Sequence, residues 1–349
     1  MSNKLNSTVD EMFGFDPTNL AVFNEPESKG GNDNIYKTST KDTKSKDGNY
    51  YSKVRVIVNP FNPNASIVHS VRYAMNDLNG FFMADSSLAV NDRNCPLFKA
   101  WKSLHFSGDP EKDNWAKKMF DRSEANWVLV QIIEDDNKPE LVGQIKCMKL
   151  PRAIYDKLTA KMKPTDGKTT PVNLMDYLFG PILNINVQAG PDGDVRRTNY
   201  NLCEFDTDPY PIVKVDGTPL FTDEEIEAIE AYDKAKKDYN KVKNDDKKTQ
   251  AQKDAKLKAC AALVDTVRPL MERALNYVKE NAPDIEDICG YHPWDDTLTQ
   301  RVNNWITKVL AMQDPVSATT EEVTEIQAAA AEVLATEPAE PAPGDDLPF

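Results

Sequence analysis

No apolar run in these 349 residues approaches the roughly 18 that a membrane-crossing helix needs, and no signal pattern is read at the N-terminus. Glycine is sparse, with 14 residues. None of them builds the Gly-x-x-x-x-Gly-Lys-Ser/Thr loop that cradles a phosphate, and no Gly-x-Ser-x-Gly nucleophile elbow is present. The three histidines, His69, His105 and His292, share no ligand spacing. Five cysteines, an odd number, are scattered without paired spacing, which argues against a disulfide framework and for a reducing cytoplasm. The acidic triplet Glu134–Asp136 reads as a solvated hairpin turn rather than a metal cluster. Nothing here assembles a catalytic constellation. The expectation is a protein that is not an enzyme, has no cofactor and contacts no membrane.

Positive charge is also missing from the end of the chain. Residues 315–349 hold eight acids and no Lys or Arg, so of the net −14 the remainder carries only −6. From 50 to 215 the balance is nearly even, 21 basic residues against 20 acidic. Local potential guides a charged partner more than net charge does, so such a core is free to carry a basic face.

The periodicity divides the chain. Residues 1–49 read as a flexible arm, polar around one apolar patch and rich in Lys, Ser and Thr near Lys37–Lys46. Residues 50–219 read as short strands: "KVRVIVNPF", then "NWVLVQIIEDDNKPELVGQIKCMKL" as a hairpin turning at Glu134–Pro139, then "GPILNINVQAG", with the helix "AIYDKLTAKM" between. That order fits a small barrel or a sheet-rich domain. Residues 220–314 read as helical. Thr222 and Glu225 form a capping-box pattern, Phe221 and Ile226 a hydrophobic staple. Pro269 is expected to kink or split the second helix, and Leu298, Val302, Trp305 and Val309 mark a third. Residues 315–349 read as a disordered acidic tail.

Basic and aromatic residues interleave in "CPLFKAWKSLHF", "NWAKKMFDRSEANW" and "IKCMKLPRAIYDK". Lys99, Trp101, Lys102, Trp115, Lys117, Lys118, Arg122 and Trp127 crowd together, and Lys146, Lys149 and Arg152 follow. Single-stranded nucleic acid is met by that mixture: cations neutralise phosphates, and flat rings stack on unpaired bases at about 1–3 kcal/mol each.

The order of segments from Lys53 to Phe205 resembles the single-stranded DNA-binding proteins of T-even-type bacteriophages. "VRVIVNPF" is similar to that family's opening barrel strand, "IVHSVRY" to the strand with its zinc-binding histidine, and "NDRNCPLFKAWKS" to its Cys-Pro-x-Cys helix. The hairpin and helix from Asn126 to Leu158 and the stretch "GPILNINVQAGPDGDVRRTNYNLCEF" follow in the family's order. The resemblance implies an α+β protein. Its core would be an OB-fold β-barrel binding single-stranded DNA, with a separate helical domain and the disordered acidic tail beside it.

The same resemblance puts Arg55 at a basic strand position facing DNA, Trp115 near a stacking aromatic and Tyr200 at the tyrosine of the Asn-Tyr turn. Tyr73, Arg196 and Arg197, in the same segments, complete the DNA-binding candidates. His69 and Cys95 fall at two zinc-ligand positions, but Phe98 stands where a second cysteine is needed and the fourth position falls near Ala84–Asp85, so no metal is expected. The Lys37–Lys46 run resembles the family's motif for contact between neighbouring subunits.

The last residues, Asp345, Asp346, Leu347, Pro348 and Phe349, resemble the tip of bacterial single-stranded DNA-binding proteins, which docks replication, recombination and repair enzymes. The expectation is a phage-type protein of the host cytoplasm that covers single-stranded DNA. The competing class is a structural or scaffold protein using the helical domain for assembly.

Overall fold

The computed structural model describes residues 33–311, apart from 42, 78–79, 87–94, 167–168, 170, 191–196, 244 and 246. The protein is α+β. Its described residues fall into two compact units, 33–70 with 124–292 and 71–123 with 293–311. This division follows contacts, whereas the sequence boundary at 219/220 followed periodicity. No helix of the described residues is long and apolar enough to cross a membrane.

The strands are β1 (Ile35–Tyr36), β2 (Tyr50–Ile57), β3 (Val68–Asp77), β4 (Gly80–Asp85), β5 (Asp121–Glu134), β6 (Ile145–Leu150), β7 (Pro181–Val187) and β8 (Glu204–Pro209). They pair along the path β1-β6-β5-β2-β7-β8, with β3 joined to β5 and β4. The sheet is open, and the closed barrel expected from the sequence is not seen. One end of the path is the two-residue β1, parallel to β6, and the other is β8, largely exposed and ending in a proline that has no N–H to donate. Neither edge pairs with the other.

In the first unit, β7 buries Pro181, Leu183, Ile185 and Val187 and half-exposes the residues between them, the period of two that a one-sided strand requires. Leu183, Ile185 and Val187 meet Val54, Val56, Val128, Val130 and Ile132 in one core. Helix α3 (Arg152–Met162) adds Ile154, Leu158 and Met162 at helical spacing.

Helices α4 (Asp223–Lys243) and α5 (Gln250–Asn281) pack antiparallel on the same core. Both halves of the Thr222–Glu225 capping box are made, and Phe221 and Ile226 share the core. A second box, Thr249 with Gln252, starts α5. Pro269 does not split α5, which runs unbroken through it, because Val267 and Leu270 on either side are buried against the core. The short α6 (Ile285–Cys289) closes this unit.

The second unit joins the β3–β4 hairpin to three further helices, α1 (Pro96–His105), α2 (Pro110–Met119) and α7 (Asp296–Leu310). Its core contains Tyr73, Met75, Phe82, Leu97, Leu104, Phe120, Val302, Trp305 and Val309. Trp305 Nε1 donates to the Asn76 carbonyl and Trp294 Nε1 to that of Asp85, both at 2.9 Å. Across the hairpin, the register partners Arg72 and Asp85 form an ion pair at 2.7 Å.

Candidate nucleic-acid interface

In the second unit α1 begins at Pro96, whose fixed φ suits a first helical turn. Leu97, Ala100 and Leu104 point inward at helical spacing, so Phe98 and Trp101 sit at the border and Lys99 and Lys102 face outward. Arg122, near the start of β5, sets its guanidinium 5.0 Å from the Trp101 ring centre, 5.8 Å from Phe98 and 6.0 Å from Tyr73. Its Nε donates to the Tyr73 hydroxyl at 3.2 Å. The Trp101 ring also meets His105 at 4.9 Å and Phe106 at 5.5 Å, and His105 Nδ1 lies 3.3 Å from Asp113 Oδ1.

Phe106 is 69 % exposed, which is unusual for so large an apolar ring. The result is a set of rings graded from buried to exposed, with one guanidinium held against them and two exposed lysines on the helix that carries Phe98 and Trp101. Such a surface is equipped to stack on bases and to neutralise phosphates.

Lys99, Trp101, Lys102 and Arg122 are thus brought together. In the first unit Trp127 and Lys149 are register partners on β5 and β6 and share a face. Trp127 is half-buried and donates from Nε1 to Ser70 Oγ at 3.0 Å, while Lys149 is exposed. Arg152 is exposed and 3.6 Å from Asp156. Arg197 is exposed, and Tyr200 is half-buried against the core. Trp115, Lys117 and Lys118 lie on α2, but their side chains fall outside the described residues, as do Arg196 and the tip from Asp345 to Phe349.

Three candidates are corrected. Arg55 does not face outward: it is wholly buried, its guanidinium donating to the carbonyls of Tyr210 and Asp176. Burial pushes its pKa down to about 10. A Cβ on Gly180 would come within 2.6 Å of its Nη1, so only glycine leaves room there. Tyr73 is fully buried and belongs to the core rather than to a stacking platform. Lys146 is buried too, with its Nζ donating to the Asp33 carbonyl at 2.6 Å.

No protein-family model matches the chain, and neither does any curated protein.

At the expected zinc positions, His69 Nδ1 lies 2.9 Å from Asn126 Oδ1 in the first unit, and Cys95 is a buried free thiol in the second. Phe98 packs partly buried against the second unit's core. Among the described residues no three His, Cys, Asp or Glu side chains gather as a metal site.

The acidic triplet is not a uniformly solvated turn. Glu134 and Asp136 are exposed, but Asp135 is buried. Its Oδ2 accepts from the hydroxyls of Tyr36 at 2.7 Å and Tyr50 at 2.6 Å, and its Oδ1 from the amides of Asn137 and Lys138. Burial raises the pKa of both phenols, and the Asp135 carboxylate adds to it.

The Lys37–Lys46 run, expected to be flexible, is tied to the same hairpin. Lys44 N donates to Asn137 Oδ1 at 2.7 Å, Lys44 Nζ to the Asp136 carbonyl at 3.1 Å, and Lys138 Nζ to the Lys37 carbonyl at 2.7 Å. An Asp whose carboxylate accepts the backbone amide two residues on forms a turn, and an Asp in a polar turn segment was the local signal available for Asp135.

Proposed function

We propose that the protein binds single-stranded DNA without catalysis and without strong sequence preference. The observation that carries this reading is the Arg122 guanidinium held against Trp101 and Phe98, with exposed Phe106, Lys99 and Lys102 around them. Rings supply stacking on unpaired bases, and cations supply salt-dependent affinity for the backbone. The order of segments from Lys53 to Phe205 supports the same reading. Within it the sheet is an OB-type Greek-key sheet left partly open. Residues 345–349 act as a tethered ligand for replication, recombination or repair enzymes, the 1–49 arm serves self-association on DNA, and the setting is a phage-infected host cytoplasm.

Tryptophan fluorescence tests it. Titration with poly(dT) at low salt is expected to quench part of the emission, through Trp101, while the buried Trp305 keeps its own. Unchanged emission at saturating poly(dT) overturns the stacking that carries the reading.

A further inference from the structure

The α4–α5 hairpin carries its charge in two blocks. From Asp223 to Asp233 there are six acids and no base, whereas from Lys241 to Lys258, around the turn, seven lysines face three aspartates. The Arg273–Glu225 ion pair marks the foot of the hairpin, and Lys256–Asp238 a point further up. Along the 21 residues of α4, at 1.5 Å each, the two ends are about 30 Å apart. Screening acts over about 8 Å at physiological ionic strength, so the acidic foot does not cancel the field of the tip.

Three of the tip lysines have a local explanation. Lys256 pairs with Asp238 at 2.8 Å, and Lys241 lies 4.0 Å from the same carboxylate. Lys243 suits the negative end of α4, and its Nζ is 5.8 Å from the Tyr239 ring centre. Lys247, Lys248, Lys253 and Lys258 have neither role: none pairs with a carboxylate among the described residues, and all but the half-buried Lys253 are exposed. The first turn of α5 holds no acid, so its positive end adds to the lysines. A lysine that only solvates a helix finds an acid a turn away, as Lys237 does with Asp233 on α4.

We propose that the tip of the α4–α5 hairpin is a second nucleic-acid contact, gripping the phosphodiester backbone through Lys247, Lys248, Lys253 and Lys258. It rests on the single-stranded DNA reading above. The tip has charge but no exposed ring, since Tyr239 is buried. It therefore reads backbone, not base. The acidic segment 315–349 is the weaker fit, with eight acids in 35 residues. A nucleic acid carries a charge on every nucleotide, and its condensed counterions are released on binding.

The test uses the full chain and a fluorescently labelled oligo(dT), with anisotropy and tryptophan emission read in the same titrations across salt. Changing Lys247, Lys248, Lys253 and Lys258 together to Ala is expected to flatten the plot of log K against log salt by about 0.7 for each lost contact, roughly 3 in all. Quenching should keep its amplitude, because stacking is elsewhere. The matching Lys→Arg protein should restore the slope. If the fourfold change disturbs the helices by circular dichroism, Lys247→Ala/Lys248→Ala in the turn gives the same readout at half the size.

An unchanged slope overturns the proposal. Tighter binding by the Ala protein also overturns it, and would assign the tip to the acidic 315–349 segment instead. Absent quenching in the unaltered protein would defeat the stacking reading alone, and a slope difference would still support the tip contact. No anisotropy change at any salt defeats both.

Discussion

Arg301 grips Asp77 with both prongs of its guanidinium, Nε to Oδ2 at 2.7 Å and Nη2 to Oδ1 at 2.8 Å, across 224 residues of sequence. The same guanidinium lies 4.0 Å from the Phe82 ring centre, and the hydrogen bond to Asp77 raises its pKa. The pair fastens α7 to the end of the β3 strand inside the second unit. A partly exposed but bidentate, charge-assisted pair is worth more than an ordinary surface bridge. Arg301→Ala is expected to lower stability by roughly 2 kcal/mol, and Arg301→Lys to recover only part, because an ammonium has no fork. Denaturant unfolding followed through Trp305 measures this. Equal midpoints for Arg301→Ala and the unaltered protein would reduce the pair to a surface contact.

Arg55 makes the opposite kind of claim, about stability rather than binding. Its removal takes a donor from the carbonyls of Tyr210 and Asp176, the latter keeping only the Gly180 amide, and leaves a cavity beside Gly180. Arg55→Ala is expected to cost roughly 3 kcal/mol or more. The folded fraction should keep the salt slope of single-stranded DNA binding, because the guanidinium touches no solvent. A lowered slope with an unchanged melting temperature would return Arg55 to the DNA-binding surface.

Much of the fold was legible because its signals are local. The Thr222–Glu225 box announces α4, and "PILNINV" alternates as β7 does. The misplaced residues are those whose surroundings come from far along the chain. On β2, Arg55 shares its parity with Tyr51 and Lys53, which are exposed or half-exposed, so the strand pattern alone turns it outward. What buries it are carbonyls 121 and 155 residues away. Asp135 is similar: the turn pattern is visible in the sequence, but Tyr36 and Tyr50 approach it across 99 and 85 residues. The density of basic and aromatic residues did locate Trp101, Lys99, Lys102 and Arg122. It could not report that Arg122 lies against the rings, because that contact needs the start of β5 beside α1.

Trp101 and the two lysines separate the halves of the proposed binding. Trp101→Ala is expected to weaken single-stranded DNA binding by about 1–3 kcal/mol with little change in salt slope, since stacking releases no counterions. Lys99→Ala/Lys102→Ala should instead flatten the slope by about 0.7 per lysine. Anisotropy titrations across salt measure both. Trp127→Ala is the comparison in the first unit: an equal loss there, with the protein still folded, would mean stacking is not confined to the Trp101 cluster.

Alkaline pH tests the buried phenols around Asp135. Tyr36 and Tyr50 hold their protons in the folded protein to a higher pH than usual, because burial and the nearby carboxylate oppose a phenolate. In the unfolded chain both ionise near pH 10. Below that value both states are protonated and the stabilisation is complete. Above it the unfolded chain sheds protons that the folded protein keeps, so stability falls as pH rises. Tyr36→Phe and Tyr50→Phe should each cost roughly 1.5–3 kcal/mol at neutral pH, by removing a hydrogen bond to a carboxylate. Each should also make the alkaline fall shallower, since one proton fewer is released on unfolding. Denaturant midpoints measured from pH about 8 upward past the ordinary phenol pKa show both effects. Curves that run parallel for the unaltered protein and both variants would mean that neither phenol is held protonated by the fold.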